Sequence, residues 1–145
     1  MPTGNRQCGL PIHQAALRIS SMPLKTIDNS LDLMDDFAKV TQGVTTHIQQ
    51  MRQAAIFTDG ALPARQKALG AMLWSISSRC EPCVAFYVQQ AVTRGATEAE
   101  LGEVLAIAST MGGCVGEMWA LKAYKAYRDF VEHRAKPQDE PGCCA

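Results

Sequence analysis

Two cysteines three residues apart, Cys80 and Cys83 in the run Arg79-Cys80-Glu81-Pro82-Cys83-Val84-Ala85-Phe86-Tyr87, are the side chains of this sequence best placed to do chemistry. On a helix, i and i+3 share one side, so two thiols at that spacing can close a disulfide without dismantling the helix. Pro82 has no N–H to donate and is tolerated only in a helix's first turn. A helix is therefore expected to begin at Cys80, with Cys83 one turn further in. Unpaired backbone N–H groups and the positive end of the helix dipole stabilise a thiolate there, pulling a cysteine below its free pKa of about 8.5. A low-pKa thiol beside a resolving partner is what reversible redox chemistry requires. Half of a zinc site, or two inert buried thiols, are the competing readings.

Helices must hold that pair. Upstream, Leu69, Met72, Leu73 and Ile76 fall at i, i+3, i+4, i+7, and downstream Val84, Tyr87, Val88, Ala91 and Val92 do the same. The upstream helix begins near Pro63 and runs to about Ser78, with Gly70 suggesting a close helix crossing and Trp74 a core or interface position. An earlier helix is expected from about Ser30 to Phe57, striped by Leu33, Phe37, Val40, Val44, Ile48, Met51 and Ala55 and ended at Asp59-Gly60. Gly95 stops the Cys-x-x-Cys helix. Thr97-Glu98-Ala99-Glu100 is a capping box opening the next one, on Leu101, Val104, Leu105, Ala108 and Met111. Gly112-Gly113 breaks the chain before a final helix carrying Ala120, Ala123, Tyr124, Tyr127, Phe130 and Val131. No segment alternates with period two, so the fold class is all-α, a helical bundle. Residues 1–27, with Pro2, Pro11 and Pro23, read as an N-terminal arm, 28–136 as the helical domain, and 137–145 as a flexible cysteine-containing tail.

The whole chain narrows the function classes. Its 145 residues suit one domain with a real core. Lys plus Arg and Asp plus Glu number 14 each, so no concentrated basic face points to nucleic acid or an acidic membrane. The N-terminus lacks a signal peptide's apolar centre, and the apolar run Val104 to Leu121 is interrupted by Gly112, Gly113, Gly116 and Glu117. A cytoplasmic location is expected, where six unevenly spaced cysteines serve catalysis, redox or metal handling rather than a permanent disulfide framework.

These motifs together resemble the AhpD-like, carboxymuconolactone decarboxylase superfamily. Asp59-Gly60-Ala61-Leu62 and Lys67 precede the Cys80-Glu81-Pro82-Cys83 pair, Gly95-Ala96-Thr97-Glu98-Ala99-Glu100-Leu101 follows it, and Met111-Gly112-Gly113 ends the next helix. The likeness covers roughly Phe57 to Ala126. It implies an all-helical homo-oligomer with the cysteine pair in a helix-lined pocket, acting as a thiol-dependent peroxidase or disulfide oxidoreductase. The expected partners are a hydroperoxide or small disulfide substrate and a thiol reductant, with no cofactor. In peroxidase members of the family the second cysteine attacks and the first resolves, which would make Cys83 the nucleophile. The helix-terminus argument alone favours Cys80 as the more acidic thiol, and both assignments stay open at this stage.

Two positions depart from the peroxidase pattern: Tyr87 stands where those members have His, and Ala68 where they have Glu. A Tyr hydroxyl, near pKa 10, is a poor base at neutral pH but can donate a hydrogen bond to a peroxide or thiolate. Glu117, one turn after Cys114 and just past the double glycine, is the first candidate to replace the missing proton relay, against the plainer reading of an acidic residue in a first helical turn. Glu81 and His47 are weaker candidates. Cys114 is a third pocket thiol or a small buried hydrophobe. Cys143-Cys144 resembles the C-terminal vicinal pair of mercuric reductases and could exchange with a Cys80–Cys83 disulfide. The alternatives to an enzyme are a soft-metal or metalloid-binding protein using Cys80 and Cys83, and a non-catalytic helical scaffold.

Overall fold

The computed structural model describes residues 29–135. The N-terminal arm and the tail, with Cys143 and Cys144, lie outside the described residues. A 3-10 turn at Asn29–Leu33 leads into α1 (Met34–Val40) and α2 (Val44–Ala55), followed by α3 (Ala64–Ser77), α4 (Glu81–Thr93) and α5 (Glu98–Ala135). Among the described residues every regular element is helical.

The core is built by α3, α4 and α5. Met72, Val88, Ala91, Leu101 and Ala123 are fully enclosed, and Ala68, Leu69, Ile76, Val84 and Ala120 pack around them. The capping box forms as expected. The Thr97 N–H donates to the Glu100 carboxylate at 2.9 Å, and the Glu100 N–H to the Thr97 hydroxyl at 3.2 Å. Arg65 of α3 pairs with the same carboxylate at 3.2 Å, which ties the start of α5 to α3.

One α5 residue turns the chain back. Gly113 has φ 56° and ψ −148°, a combination that side-chain-bearing residues avoid. Beyond it the chain closes on the arm before it, and a Cβ on Gly116 would lie 2.3 Å from the Ala108 carbonyl oxygen. By length and apolar content α5 could cross a membrane, but the reversal at Gly113 splits it into two arms. The outer side of that reversal is apolar and uncovered: Met111, Met118 and Leu121 are all more than half exposed.

Three expectations are corrected here and a fourth is narrowed. The stripe from Leu33 to Ala55 is two helices, because Gln42 (φ 54°) and Gly43 (φ 83°) take the left-handed conformation and reverse the chain. Gly43 N–H then reaches back to the Ala38 carbonyl at 2.8 Å. No residue of α1 or α2 is buried, so the stripe covers no core among the described residues. Gly60 is not a left-handed terminator; α2 has already ended at Ala55, and Asp59 instead accepts the Ala64 N–H at 2.7 Å at the head of α3. Gly70 sits at no close crossing, since nothing lies within 4 Å of where its Cβ would be. Trp74 is 75 % exposed, which removes the core alternative and leaves the interface one.

Candidate functional site

Cys80 closes one helix and opens the next. At the end of α3, Arg79 adopts φ 56°, its N–H bonds the Ile76 carbonyl at 3.1 Å, and the Cys80 N–H bonds the Ser75 carbonyl at 3.2 Å. That pair of reversed bonds is a Schellman motif, normally built on glycine and here on an arginine. Cys80 then takes extended geometry (φ −95°, ψ 94°) as the N-cap of α4, and its carbonyl accepts the Val84 N–H at 2.9 Å. Glu81 and Pro82 fill the first two helical positions and Cys83 the third. The junction puts the two Cα atoms 5.2 Å apart, and the cysteines are joined as a disulfide. Glu81 is held by Lys122 of the second α5 arm at 2.8 Å, which fixes the head of α4 from outside.

A pocket of about 640 Å³ opens beside this junction, between the 3-10 turn and head of α1, α2, the segment leading into α3, and α4. Cys83 lines it and Cys80 does not. Counting from Cys83, residues Phe86, Tyr87, Gln90 and Arg94 recur at helical spacing and form its α4 wall. Phe57 closes the other side, its ring 6.2 Å from Phe86 and 6.3 Å from Tyr87. Arg94 lies over Phe57 at 4.0 Å and Arg52 over Phe86 at 5.9 Å. Burial lowers the Arg94 pKa from its ordinary value, although nothing at accessible pH discharges it.

A pattern of the carboxymuconolactone decarboxylase family matches residues 42–126. The chain belongs to that family. It is similar to an uncharacterized protein of Cupriavidus necator, with 46% identity over 73 residues. That match spans 50% of this chain and 64% of the relative, so it leaves about a third of the relative unmatched. It is also similar to the crystal structure of an apo carboxymuconolactone decarboxylase family protein from Legionella pneumophila. There the TM-score is 0.67 at 32% identity, covering 74% of this chain and 96% of that one. The all-helical fold expected from the sequence is thus the fold of the family.

Within that fold the expected site residues divide. Cys80, Cys83 and Tyr87 come together at the head of α4, with Cys83 and Tyr87 on the pocket wall. Ala68, at the position where peroxidase members have Glu, is wholly buried in the core. Glu117 and Cys114 are exposed on α5 beyond and at the reversal, and His47 is exposed on α2; none of the three lines the pocket. Among the described residues, no three His, Cys, Asp or Glu side chains cluster closely enough to hold a metal ion. The sequence reading missed Arg52, Arg94, Phe57 and Phe86. For Phe86 and Arg94 the signal was the Cys83 register of α4, at +3 and +11, which lies apart from the Val84–Val88–Ala91 stripe that marks its core face; Arg52 and Phe57 come from other segments and had no such signal.

Proposed function

We propose that this member of the family is a thiol-dependent peroxidase or disulfide oxidoreductase in which Cys83 meets the substrate and Cys80 resolves. The observation that carries this reading is the bonded Cys80–Cys83 pair at a helix head with only Cys83 opening on a pocket. In the reduced protein the Cys83 thiolate attacks the terminal oxygen of a hydroperoxide and the O–O bond breaks. The alkoxide takes a proton and leaves as an alcohol, and Cys83 becomes a sulfenic acid. The Cys80 thiolate attacks that sulfur, hydroxide leaves with a proton as water, and the disulfide forms. A dithiol reductant returns two electrons and two protons through a mixed disulfide. Tyr87, on the same wall, is the hydrogen-bond donor for the departing oxygen. A small disulfide substrate would enter by the same exchange.

A reducing, cytoplasmic compartment and self-association belong to the same reading. Self-association is supported by the uncovered Trp74 and by Met111, which is 83 % exposed. The test uses reduced protein and tert-butyl hydroperoxide. Wild type should consume peroxide and lose two hydrogens by intact mass. Cys80→Ser should stop at a sulfenic acid on Cys83 that dimedone captures, and Cys83→Ser should consume none. Peroxide consumption that persists in Cys83→Ser, or a reduced wild type that keeps both thiols, removes the proposal.

A further inference from the structure

Among the described residues the pocket carries charge of one sign. Arg52 and Arg94 both line it, and none of its described lining residues is Asp or Glu, in a chain whose acidic and basic residues balance at 14 each. Neither guanidinium has a carboxylate within ion-pair distance among the described residues; Arg52 faces the Phe86 ring, and Arg94 the Phe57 ring. Arg94 bonds the Gln90 carbonyl and side-chain oxygen from Nη1 alone, so Nη2 and Nε keep their donors. A guanidinium presents a planar fork that matches a carboxylate, and a partly enclosed apolar wall strengthens that match. The rings of Phe57, Phe86 and Tyr87 line the same pocket as these cations and Cys83.

We propose that the Cys83 pocket binds a carboxylate-terminated apolar chain, the carboxylate on Arg52 and Arg94, the chain along the aromatic wall and its far end at Cys83. Spacing sets the length. Cys83 and Gln90 are seven residues apart on α4, roughly 10 Å along the axis, and the Arg94 guanidinium is tied back to Gln90. At about 1.2 Å per bond of an extended chain, that span takes on the order of eight bonds. The substrate class is then a medium-chain or fatty carboxylate bearing the hydroperoxide or disulfide away from its acid end. This inference names the substrate of the site proposed above and rests on that reading for the chemistry, but not for the binding.

Decanoate and 1-decanol separate the two. Isothermal titration of the oxidised protein needs no thiol reaction, and decanoate should bind at least about tenfold tighter than 1-decanol. Arg52→Gln and Arg94→Gln should each lose about tenfold for decanoate and leave 1-decanol unchanged. Arg52→Lys and Arg94→Lys, which keep the charge and guard against a folding defect, should retain part of it. Equal binding of decanoate and 1-decanol, or glutamine variants that match wild type, overturns the inference. Decanoate binding that survives while peroxide consumption fails supports this ligand class and removes the peroxidase reading alone.

Discussion

Gly116→Ala is the substitution through which the reversal of α5 can be weighed. The added Cβ would lie 2.3 Å from the Ala108 carbonyl oxygen and 3.2 Å from its carbonyl carbon. An ordinary carbon–oxygen contact is wider by about 1 Å. The obstacle is backbone, so no side chain can swing aside, and the two arms of α5 must part. Parting them disturbs Ala108 and Ala120, both buried in the core, and Lys122, which grips Glu81 beside the disulfide. Overpacking costs about 1–3 kcal/mol where side chains yield; against backbone the upper end, about 3 kcal/mol, is expected. A domain of about a hundred residues loses roughly 4–8 °C per kcal/mol, so the melting temperature should fall by roughly 12–24 °C. Far-UV circular dichroism melts measure it. Gly70→Ala is the control: that glycine is exposed in mid-helix with nothing near its Cβ position, and alanine should stabilise by about 1 kcal/mol. A Gly116→Ala protein that melts with wild type would mean the two arms do not meet at Ala108, and the account of the reversal would fall.

Two further expectations concern the ends of the helices. Arg79→Gly should stabilise the protein by about 1 kcal/mol in urea unfolding, because Arg79 holds a left-handed conformation that glycine adopts freely; a loss of stability would show that the α3–α4 junction is formed otherwise. Hydrogen bonding from the Thr97 backbone N–H, helped by the Thr97 hydroxyl and Arg65, lowers the Glu100 pKa below its ordinary value. A carboxyl whose folded pKa lies below its unfolded one contributes stability above the ordinary carboxylate range and loses it as pH falls through the folded value. Glu100→Gln should therefore flatten the acid limb of stability against pH, and identical profiles for the two proteins would contradict the capping role.

What the sequence made legible follows from which interactions are local. The Thr97–Glu100 box, the stop at Gly95 and the start of α4 at Cys80, with Pro82 in its first turn, depend on residues within one turn of each other, and each forms as read. The stripe from Leu33 to Met51 misled because periodicity counts residues and cannot register a chain reversal; Gln42, not a residue that announces a left-handed turn, shares that reversal with Gly43. The end of α3, read near Ser78, lies at Ser77, although the residue that turns the chain there is an arginine and not a glycine. The pocket was half legible. Cys83 and Tyr87 announce themselves by type, whereas Phe57 and Arg52 reach the site from segments that only the folded chain brings to α4. Glu117 follows Cys114 by one turn in sequence, yet the fold leaves both exposed and off the pocket wall.

On the proposed function, the junction favours one of the two assignments of the attacking sulfur that the sequence left open. An N-cap side chain accepts from the N–H groups of the second and third helical residues. For Cys80 the second is Pro82, which has none, so only the Cys83 N–H remains to be accepted. Cys80 thus has the helix dipole but a reduced share of its donors, and no opening on the pocket. Cys83 sits a turn deeper in the same field, with a wall that bears Arg52 and Arg94 and, among the described residues, no carboxylate to oppose a thiolate. Acidity at a helix head and access to substrate are separate requirements, and α4 gives access to one sulfur only. A resolving thiol needs reach rather than exposure, and the 5.2 Å between the two Cα atoms supplies it. On the proposed chemistry, the division of labour follows from where Pro82 stands and which face of α4 the aromatic wall occupies.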